Sequence, residues 1–539
     1  MKYVKLLTVL FVCLLIVACS NKDNTEPFSG PSDEELENLN ESEFPIVKDK
    51  ITLDFFAGQA PLTADDWNDV LLFNEYEKMS NIHIEWQMVP RESLAEKRNL
   101  ILGDVDNLPD AFHTTAMPAS DILKYGKQGI LLPLNDLIDE YAPNVKKILD
   151  ENPDIRKAIT FPDGNIYSLP MLKDPDFLSH IVGDKTFINE EWLEALTLDM
   201  PETTDEFYEY LKAVKEENPS NGRIDEIPFG VGDVGQLISY LTGSFGIANQ
   251  GMANPNIDID PDTKDLRFYP VSDNYKQLLE YVHELYKEEL IDPSILDIES
   301  DRYHANFSEG RYGSTIDWGP EFIFGEEVGS VYTSMPPLEG PNGDKTYTSI
   351  YPAVADIGAF LITSKNENPV ATIRWIDYFY SDEGMKLFFL GVEGETYEET
   401  KDGSYEFMDH ITNSAEGLST EQEAAKYLTF PGGLYPSVSK EEYFTGSEGS
   451  AQSIEAVEPL KPYLVEEPWE PFQYTEEEYK KLSSFGADIE KYIEEMRDKF
   501  INGDASFSDW DSYVETIEDM GLDEYMQIKE NAYERYQES

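Results

Sequence analysis

Cysteine is nearly absent from this chain of 539 residues: only Cys13 and Cys19 occur, so no disulfide holds the body together and the fold rests on its apolar core. Histidine is scarce as well, and His83, His113, His180, His283, His304 and His410 never stand at a short metal-type spacing, which argues against transition-metal capture. Basic residues number 41 against 107 acids, a formal net charge of −66. Such a surface repels phosphate backbones, which excludes nucleic acid as a partner, and it disfavours a polyanionic ligand. The excess suits either an exterior in high salt, where screening makes self-repulsion tolerable, or plain solubility. HExxH, the phosphate-binding P-loop, a dinucleotide glycine set and the nucleophile elbow are all missing. With 107 acids, paired carboxylates carry no glycosidase signal, and the chain reads as a non-enzyme. Long apolar runs are missing too. The one run, residues 6–17, is too short to span a bilayer about 30 Å thick.

That run follows Lys2 and Lys5 and leads into Leu15-Ile16-Val17-Ala18-Cys19-Ser20. Small or aliphatic residues before a cysteine resemble a bacterial lipobox, with residues 1–18 a signal peptide and Cys19 diacylated as a lipid anchor. The expected location is the extracellular face of the bacterial cytoplasmic membrane. Residues 19–48 are acidic, contain Pro27, Gly30 and Pro31, and read as a flexible tether.

From Ile51 the pattern alternates: a strand from 51, helical spacing over 67–79, a strand over 82–86, a helix over 92–102, a strand over 108–112 and helices over 122–128 and 136–141. Strand, helix, strand is the opening of a mostly parallel α/β domain. Three helical patterns close the chain, over 476–497, 508–518 and 522–536, and Ile489, Ile493, Met496 and Phe500 share one face.

The order of several short motifs carries more than any one of them. They are Leu108-Pro109-Asp110, Gly129-Ile130-Leu131-Leu132-Pro133-Leu134, Asp163-Gly164-Asn165-Ile166-Tyr167-Ser168-Leu169-Pro170, Ile188-Asn189-Glu190-Glu191-Trp192-Leu193, Tyr286-Lys287-Glu288-Glu289-Leu290-Ile291-Asp292-Pro293 and Trp375-Ile376-Asp377-Tyr378-Phe379. In this order the chain resembles the family 1 extracellular solute-binding proteins of ABC importers, and among them the long lipoprotein subgroup with alginate- and oligosaccharide-binding members. The resemblance implies a periplasmic-binding-protein-like α/β fold: two α/β lobes joined by a multi-segment hinge, with the ligand cleft between them. It implies an N-terminal lobe of 49–170 and 354–410, with a returning strand over 355–363 and a helix over 369–389, and a C-terminal lobe of 171–353 and 411–539. It further implies capture of an oligosaccharide, delivery to ABC transporter permease subunits, membrane attachment through the anchor, and a monomer. A surface glycan-binding or adhesion lipoprotein without transport is the alternative.

The segment 217–229 has an acidic first residue, a glycine sixth and oxygen residues fifth and ninth, which resembles a calcium loop. The resemblance places Glu217, Asn218, Asn221, the carbonyl of Arg223, Asp225 and Glu226 around the ion. Pro219 cannot supply the side-chain oxygen family members place there, so structural calcium and a metal-free turn both stay open.

A sugar cleft needs aromatic faces for stacking and amides or acids for hydroxyls. Aromatics make up 12% of the chain, so most are core, and the informative ones interrupt loops. Trp318, between a strand and Gly319-Pro320, leads the ligand-binding candidates. Asp317, Gln59, Trp67, Tyr351, Tyr435, Trp469 and Arg311 accompany it. Few arginines gather near these positions, and the expected ligand is a neutral or weakly charged oligosaccharide of roughly two to six units.

Overall fold

The computed structural model describes residues 30–41, 43–220, 225–401, 403–429 and 434–538. Two sheets organise them. The first is six-stranded and contains β1 (Ile51–Gln59), β2 (Ile82–Pro90), β3 (Ala111–His113) and β4 (Leu169–Lys173), together with β11 (Val354–Ile362) and β14 (Val438–Ser439), in the order β14-β4-β11-β3-β1-β2. β1 pairs parallel with β2 and β3, whereas β11 runs antiparallel to both β3 and β4. Phe55 and Phe56 of β1 point to opposite faces and both are buried, as expected for a strand covered by helices on two sides.

The second sheet is built from β5 (Lys185–Asn189), β6 (Ile227–Gly230), β9 (Tyr312–Asp317) and β10 (Tyr332–Ser334), in the order β10-β5-β9-β6. Two hairpins stand apart, β7 (Ile257–Ile259) with β8 (Leu266–Phe268) and β12 (Tyr397–Glu399) with β13 (Tyr405–Phe407). Each large sheet has its own core. One gathers Phe55, Trp67, Tyr76, Phe360 and Trp375, and the other Phe207, Phe229, Leu278, Ile316 and Tyr525. The chain therefore crosses between lobes after β4, again at residues 351–354, and a third time after β14.

The expected returning strand is β11, and the expected helix behind it is two, Pro369–Asp377 and Asp382–Phe389, broken at Tyr378–Tyr380. Two boundaries move. Residues 19–48 are not tether throughout: Asp33–Asn38 is a helix capped by Ser32, and Glu35 is buried, accepting the N–H groups of Val370 (2.7 Å) and Ala371 (3.0 Å). Ile46 and Val47 enter the first core. An acidic segment is thus docked because one carboxylate finds a helix N-terminus to cap. The second shift concerns residues after 410, expected in the C-terminal lobe. Ile411, Leu428, Tyr435, Val438 and Tyr443 belong to the first core, since β14 pairs with β4, and β4 itself carries residues 171–173 into the first sheet.

The C-terminal part lies along both lobes. Glu470 accepts the N–H groups of Ala353 (2.7 Å) and Val354 (2.9 Å) at the second crossing, and Gln473 donates to the Ala158 carbonyl at 2.6 Å. Lys127 reaches Glu476 at 3.2 Å, while Arg535 on the last helix, Leu522–Glu538, holds Glu478 at 2.6 Å. Among the described residues no helix is long and apolar enough to cross a membrane.

Candidate functional site

β9 is one of the two inner strands of its sheet, buried along its whole length, and its last residue sets up the site. Asp317 accepts the N–H of Trp318 at 2.7 Å and of Gly319 at 3.4 Å on Oδ1, and the Tyr303 hydroxyl at 2.9 Å on Oδ2. Its buried carboxylate, held above its usual pKa by burial, therefore aims Trp318 rather than offering itself to a ligand. Ser453 Oγ (2.8 Å) and Lys185 Nζ (3.3 Å) both donate to the Trp318 carbonyl, which pins the backbone from below.

The half-buried Trp318 ring stacks on half-buried Tyr351, with centroids 5.7 Å apart and planes 20° from parallel. Tyr351 comes from the second crossing between lobes, and its hydroxyl donates to Asp184 Oδ2 at 2.8 Å. Gly183 makes the arrangement sterically feasible: a Cβ there would lie 2.3 Å from the Trp318 ring and 2.8 Å from that of Tyr351. From β4 of the other lobe, Lys173 sets its ammonium 4.2 Å from the Tyr351 centroid and 5.5 Å from that of Trp318. Cation and ring faces attract through the ring quadrupole. The platform is thus assembled where both lobes and two of the three crossings meet.

Behind it lies a buried polar layer. Lys173 donates to the His180 carbonyl at 3.2 Å, and Lys185 to the carbonyls of Ser179 (2.9 Å) and Gly183 (3.1 Å). Burial lowers Lys173 to about 8 and Lys185 to about 7. It also lowers His180 to about 3, so this imidazole, 3.8 Å from Glu448, is neutral and forms no ion pair. Its Nδ1 lies 2.8 Å from Ser439 Oγ instead. Asp184, pushed up by burial, also accepts from Gln236 Nε2 at 3.2 Å. Asp233 caps the helix Val234–Leu241 through Gly235 and Gln236, close enough to act by its charge on Tyr351. No nucleophile paired with a base emerges here, and the polar groups are arranged to hold rings rather than to move protons.

The other ligand-binding candidates lie elsewhere. Gln59 ends β1 half-buried. Trp67 is fully buried, donating to Thr63 Oγ1 at 2.7 Å and meeting Trp86 edge-on at 4.8 Å. Tyr435 is buried against Phe388 and Phe389, and Trp469 against Phe472 and Tyr533. These three rings fill cores because each loop they interrupt folds back on its own lobe. Arg311 stands at the far end of β9, about 23 Å of strand from Trp318, and binds Asn306 and Asp225. Missed by sequence reading were Lys173, Gly183, Asp184, Lys185 and Gln236. The one available signal was the charged pair Asp184-Lys185 at the head of a short strand.

Of the calcium-loop positions, Asn221 and Arg223, like the anchor Cys19, fall outside the described residues. Glu217 is the exposed last residue of the helix Thr204–Glu217, and Asn218 ends it in the left-handed conformation. Glu226 accepts the Ser220 N–H at 2.7 Å, and the Asp225 carboxylate is 3.2 Å from Arg311. Among the described residues no three His, Cys, Asp or Glu side chains gather to hold a metal. In the described part of the loop Arg311 thus pairs with Asp225, one of the positions the calcium resemblance names.

Known proteins share this fold. Over 542 aligned residues the chain is 31% identical to the fructooligosaccharide ABC transporter substrate-binding protein FusA of Streptococcus pneumoniae serotype 4 (strain ATCC BAA-334 / TIGR4), covering 97% of this chain and 96% of that one. The S. pneumoniae FusA structure in complex with kestose superposes with a TM-score of 0.73 at 29% identity, over 90% of this chain and 99% of that one. A FusA EF-hand mutant in complex with fructo-nystose gives 0.72 at 28%, with the same coverage. These relatives are substrate-binding proteins, not enzymes. Residues 60–386 match the model of the bacterial extracellular solute-binding proteins, and the chain belongs to that family, the substrate-binding components of ABC importers.

Proposed function

We propose that this protein is a lipid-anchored receptor that captures a neutral oligosaccharide on the outer face of the membrane and hands it, as a monomer, to the permease subunits of an ABC importer. The observation that carries the reading is the Trp318–Tyr351 platform, built at the junction of the two lobes. Paired aromatic faces suit the apolar face of a sugar ring. The ligand is taken as neutral because the cations here, Lys173 and Lys185, are buried with carbonyl acceptors, while Asp184 and Asp233 put negative charge beside Tyr351. FusA, whose structures hold kestose and fructo-nystose, makes fructooligosaccharides the first class to test.

A glycan panel read by melting shift and then calorimetry tests this. Saturable binding of kestose or another neutral oligosaccharide is expected, weakened about tenfold or more in Trp318→Ala with the fold intact. Binding confined to polyuronates, peptides or amino acids would overturn it. The anchor is tested by Cys19→Ala, which should release the protein into the medium; retention at the membrane would rule the anchor out. Calcium at residues 217–226 is a separate proposal, opposed by the Asp225–Arg311 pair. Titrating chelator-stripped protein should give heat and a higher melting temperature, more so in Arg311→Gln, and the absence of both would remove it.

A further inference from the structure

The first lobe carries a second piece of built polarity that the aromatic platform does not use. It lies where the C-terminal ends of β1 and β3 meet the start of β11. Thr114 (φ 53°) and Ala116 (φ 46°) both adopt left-handed backbone, which residues with a side chain rarely do and which gathers at ligand clamps. The turn is held from every side. Thr114 donates from Oγ1 to the Gly58 carbonyl (3.0 Å) and from N–H to the Ala359 carbonyl (2.7 Å). Arg98, buried on the helix Arg91–Leu102, donates to the carbonyls of Thr115 (2.6 Å) and Ala116 (2.9 Å). A Cβ on Gly58 would come within 2.3 Å of the Thr114 carbonyl, and one on Gly358 within 2.3 Å of that of Met117, so both strands approach the turn at backbone distance.

Asp356 lies two residues before Gly358, which packs on Met117 just past the turn, and it feels the charge of Arg98, which holds the turn. The pairing of β11 with β4 slips on both sides of Asp356, and such irregularities re-aim a side chain. One carboxylate oxygen accepts the Gly358 N–H at 2.9 Å. Three buried polar atoms then have no partner: Asp356 Oδ2, Thr115 Oγ1 and Arg98 Nε. Buried polar atoms are almost always satisfied; Arg98 links the other two residues, bonding the Thr115 carbonyl and acting by its charge on Asp356, so this corner of the lobe calls for donors and acceptors from water or a ligand. A polyol supplies both. Asp356 is five residues beyond Tyr351, at most about 17 Å of extended chain, a span that a short oligosaccharide bridges.

We propose that Asp356, positioned by Arg98 and the Thr114–Ala116 turn, is the first lobe's hydroxyl acceptor for the saccharide that stacks on Trp318 and Tyr351. The inference rests on the oligosaccharide reading and adds the contact by which one ligand holds both lobes. Arg98 and Arg91 on one side, and Tyr380 on another, are the charged or titratable groups facing Asp356. Burial pushes its carboxyl up to about 6, against the pull of the Gly358 N–H and both arginines. An ionised carboxylate accepts hydroxyl hydrogen bonds better than its acid form, so affinity should fall as pH drops from 7 to 5.

The test is calorimetry with kestose from pH 5 to 8 on the wild-type protein, Asp356→Asn, Thr115→Val and Trp318→Ala, with melting temperatures as the check on folding. Asp356→Asn should weaken binding about tenfold at pH 7.5 and flatten the pH profile, while Thr115→Val weakens it about threefold. If Trp318→Ala weakens binding but both first-lobe variants keep wild-type affinity and pH profile, the inference is wrong and the platform stands. If Asp356→Asn fails to fold, Thr115→Val decides by itself. Failure of the wild-type protein to bind any neutral glycan refutes the underlying reading, and this inference with it.

Discussion

Gly183→Ala is a small change with a large expected effect. The added methyl would sit 2.3 and 2.5 Å from two carbons of the Trp318 ring and 2.8 Å from Tyr351 Cε2, where ordinary carbon contacts lie at about 3.5–4.0 Å. Relief demands a shift of more than 1 Å, roughly the shortfall at the closest contact. The Trp318 backbone cannot retreat, because Asp317 holds its N–H while Ser453 and Lys185 hold its carbonyl. The rings must therefore turn away, breaking the Tyr351–Asp184 bond or leaving a rotamer well. Overpacking of this kind costs about 1–3 kcal/mol, and loss of the ordered platform should cost about tenfold or more in affinity. Near-ultraviolet circular dichroism, melting temperature and kestose calorimetry read the three consequences. A double-mutant cycle sharpens the test: in a Trp318→Ala background the same glycine change should be cheaper by about 1 kcal/mol or more, because the nearest ring is gone. Equal cost in both backgrounds, or unchanged dichroism and affinity in the single variant, would refute the steric account.

Two further outcomes follow from buried groups. His113 is enclosed by the rings of Trp67, Trp86, Phe360 and Trp375, and burial holds its pKa at about 3 against an ordinary 6.5. Between those values the unfolded chain binds the extra proton, so wild-type stability falls as pH falls. His113→Phe should remove about 1.4 kcal/mol per pH unit of that loss, seen as denaturation midpoints that diverge from wild type below pH 6.5; parallel midpoints would disprove it. Glu35→Ala strips the acceptor from the N–H groups of Val370 and Ala371 and should lower stability by about 1–2 kcal/mol, a melting decrease of about 2–6 °C. An unchanged melting temperature would mean the N-terminal helix contributes no docking energy.

The fold was readable because its evidence is local and ordered: alternating strands and helices, and motifs in sequence. Trp318 stands out in the sequence as a bulky ring between a strand and Gly319-Pro320, and in the fold it stacks on Tyr351. Trp67, Tyr435 and Trp469 gave an identical signal yet fill cores, because a ring at a loop cannot announce whether neighbours such as Trp86 or Tyr533 will cover it. Lys173 and Gly183 were unreadable from one chain, since their meaning comes from Trp318 and Tyr351, distant in sequence. The docking of Glu35 was hidden likewise. Its helix has the acidic composition of a tether, and only the distant N-terminus of Pro369–Asp377 gives one of its carboxylates a buried partner.

The nesting of the two sheets governs the order in which they can form. All four strands of the second sheet fall between residues 185 and 334, whereas the first sheet stays open until β11 and β14 arrive to pair with β3 and β4. As the chain emerges from the ribosome, or from an export channel, the inner sheet is complete while the outer one still lacks two strands. Phe360 must then find His113, 247 positions away in sequence. Such long-range pairing is slow, and unpaired strand edges are prone to aggregate while they wait. The outer lobe is therefore where a chaperone has most to protect.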